Sequence, residues 1–391
     1  MQLSVIILNY NVRYFLEQCV LSVQEAIQNL DAEIIVIDNN SSDDSCAMME
    51  KRFPNVKLIR NLDNVGFPKG NNIGVAQAKG EYICILNPDT VVAEDTFSKI
   101  LNFVNSSAVK KNSLGIVGCK LIDGTGKFLP ESKRGVPTPW VAFTKIVGLY
   151  KVPLKSKMVG KYYAQHVNET QTGKVDILVG AFMFMKRDLY LEVGGFDEAC
   201  FMYSDDIDLS YRILQLGKSN YYFHETTVLH YKGESTIKDE IYMQHFQEAM
   251  NFFYKKHFSV PLVFSIFMKI GIVIFSLIKK FQGKPRIKIA PKSYLLYSAN
   301  EKLLEKLRLV LQNKVQFHDL KTEKMVNSSI IKDILGTEVI LDNEFISFKD
   351  CIEFLESSTN NGFTFKIVPN KTNFLIGSNN SNERGEFIKI E

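Results

Sequence analysis

Up to residue 86 the sequence alternates short apolar runs, nearly free of charge, with segments of helical periodicity. Such runs are too apolar for strands with one face in water, and the segments between them are long enough for crossover connections. The pattern therefore predicts parallel strands buried on both faces, at residues 4–8, 33–37, 56–59 and 82–86. Helices are predicted at residues 12–29, after Ser42 and at residues 67–79. The fold class is α/β, with a doubly wound sheet.

The chain has 391 residues, of which 46% are hydrophobic and 23% charged. This length predicts two or three domains, and these fractions exclude a disordered, collagen-like or coiled-coil chain. Six cysteines are scattered without a CxxC pair, which excludes the common zinc and redox spacings. Because Cys84 lies inside an apolar run, as a buried free thiol would, we expect a reducing, cytoplasmic compartment.

Basic residues are concentrated in one part of the chain. Between Glu248 and Glu301 there are nine basic residues and no acidic one, whereas the rest of the chain has 38 basic and 43 acidic side chains, a balance of −5. A nucleic-acid binder would carry its positive charge on the folded domains, so this class is disfavoured. A basic segment beside an apolar one favours an anionic membrane surface.

The apolar stretch is residues 258–278, with 15 apolar residues among 21 and lysine pairs at 255–256 and 279–280. Pro261, Lys269 and the basic residues at both ends argue against a simple membrane crossing. We therefore predict a peripheral or monotopic anchor, interfacial or re-entrant, on the cytoplasmic face of the plasma membrane. The alternative is a buried helix pair in a soluble protein.

Three units are predicted along the chain: an α/β domain at residues 1–250, the membrane-associating segment at 251–290, and a small C-terminal α/β domain of unknown role at 291–391. Within the first unit, residues 109–173 mix Gly, Pro, Lys and aromatic residues and predict an irregular excursion over the site. Regular structure is expected to resume with a strand, a helix and a strand at residues 175–185, 205–216 and 219–231.

In an open α/β sheet, ligands bind beyond the carboxyl ends of the strands. Here those positions hold Asn9 to Asn11, Asp38 to Ser42 and Asn87 to Thr90. All three segments are polar and turn-prone. None forms a GxGxxG or GxxxxGK[ST] loop, so neither a dinucleotide site nor a P-loop is supported.

Two of these segments carry a carboxylate directly after a buried strand. Asp89 follows the stiffening Pro88, and its hard oxygen ligands suit Mg²⁺ or Mn²⁺. Asp38 could accept a hydrogen bond from a base or a ribose. Each alone could be a helix cap, but two such carboxylates at neighbouring strand ends favour a shared site.

The motifs SVIILNYN, EIIVIDNNSSDDS, DNVGFPKGNNIG, ILNPDT, GGFDE and MYSDDIDLSYR occur in this order. Together they resemble the family 2 glycosyltransferases of GT-A fold, most closely the bacterial rhamnosyltransferase-like branch, over roughly residues 1–245. The resemblance implies a Rossmann-like mixed sheet and a nucleotide-sugar donor. Donor contacts are expected from Asn9, Tyr10, Asp38, Asn40 and Asn87.

The resemblance also places the Asn87-Pro-Asp89 segment at the family's DxD metal motif, with Asn in place of the first Asp. It implies Asp89 and the late His230 as metal ligands, although His230 could equally be a structural histidine. In the segment from Gly66 to Asn72, backbone amides and Lys69 could reach a phosphate at a helix N-terminus, with an ordinary loop and cap as the alternative.

Asp205 and Asp206 match the acidic pair in which the family places its catalytic base, and we favour Asp206. A sugar hydroxyl attacks poorly at neutral pH, so a carboxylate that removes its proton accelerates transfer by roughly 10²- to 10⁴-fold. Asp205 and Asp208 share a helix face, whereas Asp206 points about 100° away. The alternative is a solvated helix start that complements the helix dipole.

The sequence thus predicts a membrane-associated, metal-dependent, inverting glycosyltransferase. It would move rhamnose or another hexose to a saccharide or polyprenol-linked saccharide in cell-surface polysaccharide synthesis. Two alternatives stay open: a non-catalytic nucleotide-sugar-binding scaffold and a sugar nucleotidyltransferase. The sequence specifies neither the donor sugar nor an oligomeric state.

Overall fold

Two β-sheets organise the chain, which we describe from a computed structural model. The structure describes residues 1–107, 109, 113–138, 141, 162–200, 203–232, 240–258, 290–323, 336–359, 361–379 and 385–390. The first sheet has nine strands, in the order β3-β2-β1-β4-β8-β6-β9-β5, and β7 pairs with β9 outside this path. Strands β1 to β4 are parallel, and β8 runs antiparallel to β4 and β6, so the predicted mixed α/β sheet is confirmed.

The strands of this sheet are β1 (Leu3–Asn9), β2 (Ala32–Asp38), β3 (Lys57–Arg60), β4 (Tyr82–Leu86), β5 (Thr90–Val91), β6 (Leu114–Ile122), β7 (Gly173–Val175), β8 (Phe182–Lys186) and β9 (Ser219–His230). Its helices are α1 (Arg13–Ala26), α2 (Ser45–Arg52), α3 (Gly66–Ala76), α4 (Thr96–Asn105), α5 (Arg187–Glu192), α6 (Asp205–Gln215) and α7 (Glu240–His257). Strands β1 and β4 are buried along their whole length, as their apolar sequences require.

The prediction of an irregular segment at residues 109–173 is wrong where β6 forms. All nine residues of β6 are buried between β8 and β9. Gly118, which suggested a loop, lies where a Cβ atom would come within 2.7 Å of Leu178. The glycine therefore marks close packing inside a strand. The strand expected at residues 175–185 is instead divided into β7 and β8.

The second sheet has six strands in the order β11-β10-β12-β13-β14-β15, with the first four parallel. They are β10 (Ser293–Ser298), β11 (Val315–Asp319), β12 (Thr337–Asp342), β13 (Thr364–Val368), β14 (Phe374–Gly377) and β15 (Glu386–Lys389). Two helices accompany them, α8 (Glu301–Leu311) and α9 (Phe348–Ser357).

The two sheets share one hydrophobic core. Val12, Val91 and Leu229 of the first sheet's unit belong to the same buried cluster as Leu341, Phe348 and other residues of the second. Tyr14 stacks on Phe387 with ring centroids 3.8 Å apart, and it meets Phe374 edge to face at 4.9 Å. The second sheet is therefore packed against the first through apolar contacts.

A tight turn after β6 also contacts the second sheet's unit. Gly126 has φ +79°, and a Cβ atom there would lie 1.9 Å from the carbonyl oxygen of Leu355 in α9. Both the backbone conformation and the close approach require glycine at this position.

The apolar stretch at residues 258–278 of the predicted membrane-associating segment lies outside the described residues except for Phe258. Phe258, its first residue, is described and directly follows α7, whose last residue is His257. None of the helices in the described part of the chain has the length and apolarity needed to cross a membrane. The boundaries of the 251–290 unit stay a prediction.

Because the core is shared, we expect Phe348→Ala to destabilise the whole chain. Phe348 is 1% exposed, and truncating a buried Phe costs about 3–5 kcal/mol. Urea unfolding followed by circular dichroism measures the loss. Leu309→Ala is the control, because Leu309 of α8 is 78% exposed. It should change the free energy of unfolding by less than about 0.5 kcal/mol. A variant in which only the second sheet unfolds, leaving the first at wild-type stability, would contradict the shared core.

Candidate functional site

Asn9 and Asp38 end the two adjacent parallel strands β1 and β2 and are register partners. The Asn9 side chain donates from Nδ2 to Asp38 Oδ1 at 2.8 Å and to Ser41 Oγ at 3.0 Å. Asp38 Oδ2 accepts from the Ser41 amide at 2.9 Å. Asn9 and Asp38, both predicted to contact the nucleotide-sugar donor, are thus held together in one buried hydrogen-bonded group.

The loops after β1 and β2 each contain an asparagine in the left-handed region, Asn11 at φ +56° and Asn40 at φ +64°. Asn11 Oδ1 accepts from the Ser42 amide at 2.7 Å, which joins the two loops. Asn40 is exposed, and Tyr10 is 36% exposed. Tyr10 and Asn40, which are also predicted to contact the nucleotide-sugar donor, therefore lie at the solvent-accessible rim of the group formed by Asn9 and Asp38.

Asn39 is a site residue that the sequence analysis missed. Its Nδ2 donates to Asn64 Oδ1 at 2.7 Å, and its Oδ1 accepts from Asn61 Nδ2 at 3.0 Å and from the Val65 amide at 3.2 Å. This buried amide fixes the loop that leads into α3. The sequence signal that could have identified Asn39 is its position between Asp38 and Asn40 in the polar turn after β2.

The segment that begins α3 supports only part of its predicted phosphate role. Lys69 is exposed in the first turn of the helix. The Gly66 amide, however, already donates to Asn64 Oδ1 at 3.1 Å. This bond fixes the loop before α3, and the phosphate contact expected of Gly66 stays a prediction.

The side chain of Asn72 contacts the GGFDE turn, and the nucleotide-sugar contact expected of Asn72 stays a prediction. Its Oδ1 accepts from the Tyr190 hydroxyl at 2.5 Å and from the Phe196 amide at 3.0 Å. Its Nδ2 donates to the Phe196 carbonyl at 2.9 Å and to Glu198 Oε1 at 3.0 Å. These contacts make Asn72 a link between α3 and the turn after α5.

Asp89 and His230 are brought together by the short strand β5. Thr90 pairs with His230 across β5 and β9, and the Tyr231 amide donates to the Asp89 carbonyl at 3.0 Å. The side chains are 3% and 7% exposed, with His230 Nε2 3.5 Å from Asp89 Oδ1. Asp89 Oδ1 and His230 Nδ1 form no hydrogen bond with any described residue.

A buried carboxylate oxygen without a hydrogen bond is costly unless something binds it. An imidazole beside it completes a donor set that suits Mn²⁺ or Mg²⁺. Within the residues that the structure describes, no cluster of three or more acidic, histidine or cysteine side chains could hold a metal. A cation at this position would have Asp89 and His230 as its protein ligands among the described residues and would need further oxygen ligands from elsewhere.

Backbone contacts connect the Asn87 segment to the acidic pair on α6. The Asn87 amide donates to the Ala181 carbonyl at 3.0 Å, and the neighbouring Gly180 amide donates to Asp206 Oδ2 at 3.1 Å. Asn87 Oδ1 is buried and has no partner among the described residues. The carboxyl ends of β1, β2 and β4 lie beside the start of β8. Asp38, Asp89 and Asp206 are thus brought to the same end of the strands.

Asp205 and Asp206 begin α6 and are both buried. Arg134 Nη2 donates to Asp206 Oδ2 at 2.5 Å, and the nearby Asp206 raises the pKa of the Arg134 guanidinium. Burial, followed by the charge of Asp206, raises the pKa of Asp205 to about 7. A raised pKa of this size suits Asp205 to take up a proton near neutral pH, as a general base does.

Arg134 was missed because nothing in its local sequence distinguishes it from other basic residues of the segment predicted to be irregular. In the structure it pairs with Ile177 through a β-bridge, which carries the guanidinium to α6. Its neighbour Lys133 lines a polar cavity of about 450 Å³, with Phe128, Gln165, Asn168 and Gln171. The backbone at Lys133 is extended, with φ −144° and ψ 122°, so the side chains of Lys133 and Arg134 point to opposite sides of this segment.

Asp208 has a separate, structural role. It is fully buried and accepts from Arg212 Nε at 2.7 Å, with Lys256 Nζ 2.9 Å and His257 Nε2 2.6 Å from its Oδ1. These contacts tie α6 to the end of α7. Lys256 also contacts Asp197 at 2.6 Å, so this member of the basic flank is engaged by protein carboxylates and is a poor candidate for lipid headgroups.

A family model for glycosyl transferase family 2 matches residues 4–194. The match lies within the N-terminal unit and agrees with the resemblance that the sequence motifs indicated. The residues that carry the match include the ends of β1, β2 and β4, where Asn9, Asp38 and Asp89 lie.

The similar proteins include an N-acetylglucosaminyl-diphospho-decaprenol L-rhamnosyltransferase of Mycobacterium tuberculosis, 26% identical over 61% of this chain and 78% of the relative. The rhamnosyltransferase WbbL of Escherichia coli is 28% identical over 54% of this chain and 78% of its own length. Among solved structures, a mannosyltransferase of Pyrobaculum calidifontis in complex with GDP-Man and Mn²⁺ has a TM-score of 0.44 and 16% identity, covering 73% of this chain and 76% of that one.

If Asn72 is a structural link, Asn72→Ala should lower the free energy of unfolding by about 1–3 kcal/mol, because buried partners lose their hydrogen bonds. The Michaelis constant for the donor should stay within about two-fold of wild type. Thermal unfolding and steady-state kinetics measure the two effects. A large rise in that constant at unchanged stability would support the donor contact.

Proposed function

We propose that the protein is an inverting glycosyltransferase that moves a hexose from a nucleotide-sugar donor to the hydroxyl of a saccharide. The observation that carries the proposal is the buried Asp89–His230 pair, at the same end of the strands as the Asp205–Asp206 pair. Asp89 Oδ1 and His230 Nδ1 form no hydrogen bond with the described residues. One pair suits a cation that neutralises a leaving group, and the other suits a base that activates an attacking hydroxyl. The family match supports the same class of reaction.

Donor binding is assigned to the group around Asn9 and Asp38, with Asn87 beside it and Tyr10 and Asn40 at the rim. Asp89 and His230 would hold Mn²⁺ or Mg²⁺, and the donor diphosphate and water would supply the remaining oxygens. When bound, the cation stabilises the negative charge that develops on the departing nucleoside diphosphate. Lys69, exposed at the start of α3, can add a positive charge to this region.

The acidic pair supplies the base, with Asp206 as its favoured member. As the acceptor oxygen forms its bond to the anomeric carbon, its proton passes to the carboxylate and the bond to the diphosphate oxygen breaks. The nucleoside diphosphate leaves with that electron pair, and because the acceptor oxygen attacks from the opposite face, the anomeric centre is inverted. Arg134 donates to Asp206 and orients its carboxylate.

The rhamnosyltransferases among the relatives favour rhamnose as the donor sugar and a polyprenol-linked saccharide as the acceptor, in cell-surface glycan synthesis. The apolar, basic sequence after α7 supports action at the cytoplasmic face of a membrane.

The direct test incubates the full chain, in membranes, with UDP-, GDP- and dTDP-sugars and a lipid-linked saccharide. We expect transfer from one donor with release of nucleoside diphosphate, loss of activity in EDTA, and recovery with Mn²⁺ or Mg²⁺. His230→Ala should raise the metal concentration required for half-maximal rate by about ten-fold or more. Release of pyrophosphate from a nucleoside triphosphate would identify a nucleotidyltransferase instead.

The acidic pair gives a second test. Asp206→Asn should reduce kcat by about 10²- to 10⁴-fold while the donor still binds. If transfer requires the ionised carboxylate of Asp205, the wild-type rate should rise about ten-fold per pH unit below 7 and level off above it, because the pKa of Asp205 is raised to about 7.

Asp188→Asn is the matched control, since this neighbouring carboxylate is 90% exposed. It should leave both kcat and the pH profile unchanged. Full transfer by the Asp206→Asn variant would eliminate this residue as the base. Donor binding by wild type without turnover of any donor would favour the non-catalytic scaffold.

A further inference from the structure

The segment between β5 and α4 reaches across to the second sheet's unit. Glu94 lies in this segment, five residues after Asp89, and its two carboxylate oxygens accept from the amides that begin α9. The distances are 2.7 Å to the Phe348 amide and 2.9 Å to the Lys349 amide. Lys349 Nζ in turn contacts Asp95 at 2.8 Å. A carboxylate at a helix N-terminus satisfies unpaired amides and complements the helix dipole.

The other end of α9 is also fixed to the first sheet. Glu356, in its last turn, forms an ion pair with Lys120 of β6 and accepts from Thr227 Oγ1 of β9 at 3.2 Å. Lys120 is 7% exposed, so this contact lies inside the interface. One helix of the second unit therefore spans from the β5–α4 segment to β6 and β9.

Between these two polar contacts, the residues that flank the metal-binding pair enter the shared core. Val91 follows Asp89 by two positions, and Leu229 and Tyr231 flank His230 on either side. All three belong to the buried cluster that contains Phe348, Ile352 and Leu355 of α9. Strand β5 has only two residues and lies at the edge of its sheet, so its own hydrogen bonds give it little rigidity.

We propose that α9 holds β5 against β9 in the arrangement that the metal requires, and that Glu94 is the positioning residue for the Asp89–His230 pair. The inference rests on the metal site of the proposed function. In this proposal the C-terminal unit contributes to metal binding indirectly. Its helix α9 packs against β5 and β9, next to the two proposed metal ligands.

A matched pair of substitutions separates this role from general stability. Glu94→Ala removes the acceptor that comes from the first unit. Ser347→Ala removes the acceptor within the second unit, since Ser347 Oγ accepts from the Asp350 amide at 3.0 Å as the N-cap of α9. Both substitutions weaken the start of the same helix. Of the two residues, Glu94 lies in the segment after Asp89, whereas Ser347 lies in the second unit.

Binding of Mn²⁺ alone to the full chain, followed by the electron paramagnetic resonance signal of free Mn²⁺, measures the effect without any turnover. We expect Glu94→Ala to weaken Mn²⁺ binding about ten-fold, and Glu94→Gln by less, because its amide retains one acceptor oxygen. Ser347→Ala should lower the melting temperature similarly and leave Mn²⁺ affinity within about two-fold of wild type. If Glu94→Ala does not fold, Glu94→Gln against Ser347→Ala decides.

Equal Mn²⁺ affinity in the wild type and a folded Glu94 variant would overturn the positioning role, as would equal weakening by Ser347→Ala. Absence of Mn²⁺ binding by the folded wild type is a different result, since it would overturn the metal site of the proposed function itself. The two failures are therefore distinguishable in one titration series.

Discussion

Parallel pairing of β1 with β2 and β4 is the constraint on which the rest of the site depends. Since parallel strands end at the same edge, register alone puts Asn9 beside Asp38 and both near the Asn87 segment. The antiparallel β8 enters the sheet at that edge and adds Gly180, whose amide contacts Asp206. Residues distant in sequence thus converge because their strands are buried and cannot change register without moving apolar side chains into water.

The buried carboxylates at this edge are stabilised in different ways, and the differences indicate their roles. Removing a carboxylate from water is costly unless hydrogen bonds or opposite charges replace the lost hydration. Asp206 has Arg134, and Asp208 has Arg212, Lys256 and His257. For Asp205, burial beside Asp206 raises the pKa. Asp89 has an oxygen with no hydrogen bond to the described residues, which is why it is the carboxylate best suited to an external cation.

Much of this arrangement could be predicted from sequence because it depends on short, strongly patterned segments. The charge-free runs gave β1, β2 and β4, and the polar residues directly after them gave Asn9, Asp38 and Asp89. Strand β6 could not be predicted, because its glycine at position 118 resembles a loop signal and its meaning depends on Leu178, far away in sequence. Arg134 and Asn39 were missed for a similar reason: their function lies in partners that only the folded chain supplies.

The turn at Gly126 has a consequence for how this protein could have been assembled. Its backbone approaches α9 so closely that a side chain of any size would separate the two units. A different C-terminal module could therefore not replace this one by simple fusion after α7, because the first unit already carries a surface shaped for this helix. A chimaera that exchanges only the second half should lose the close fit at this turn.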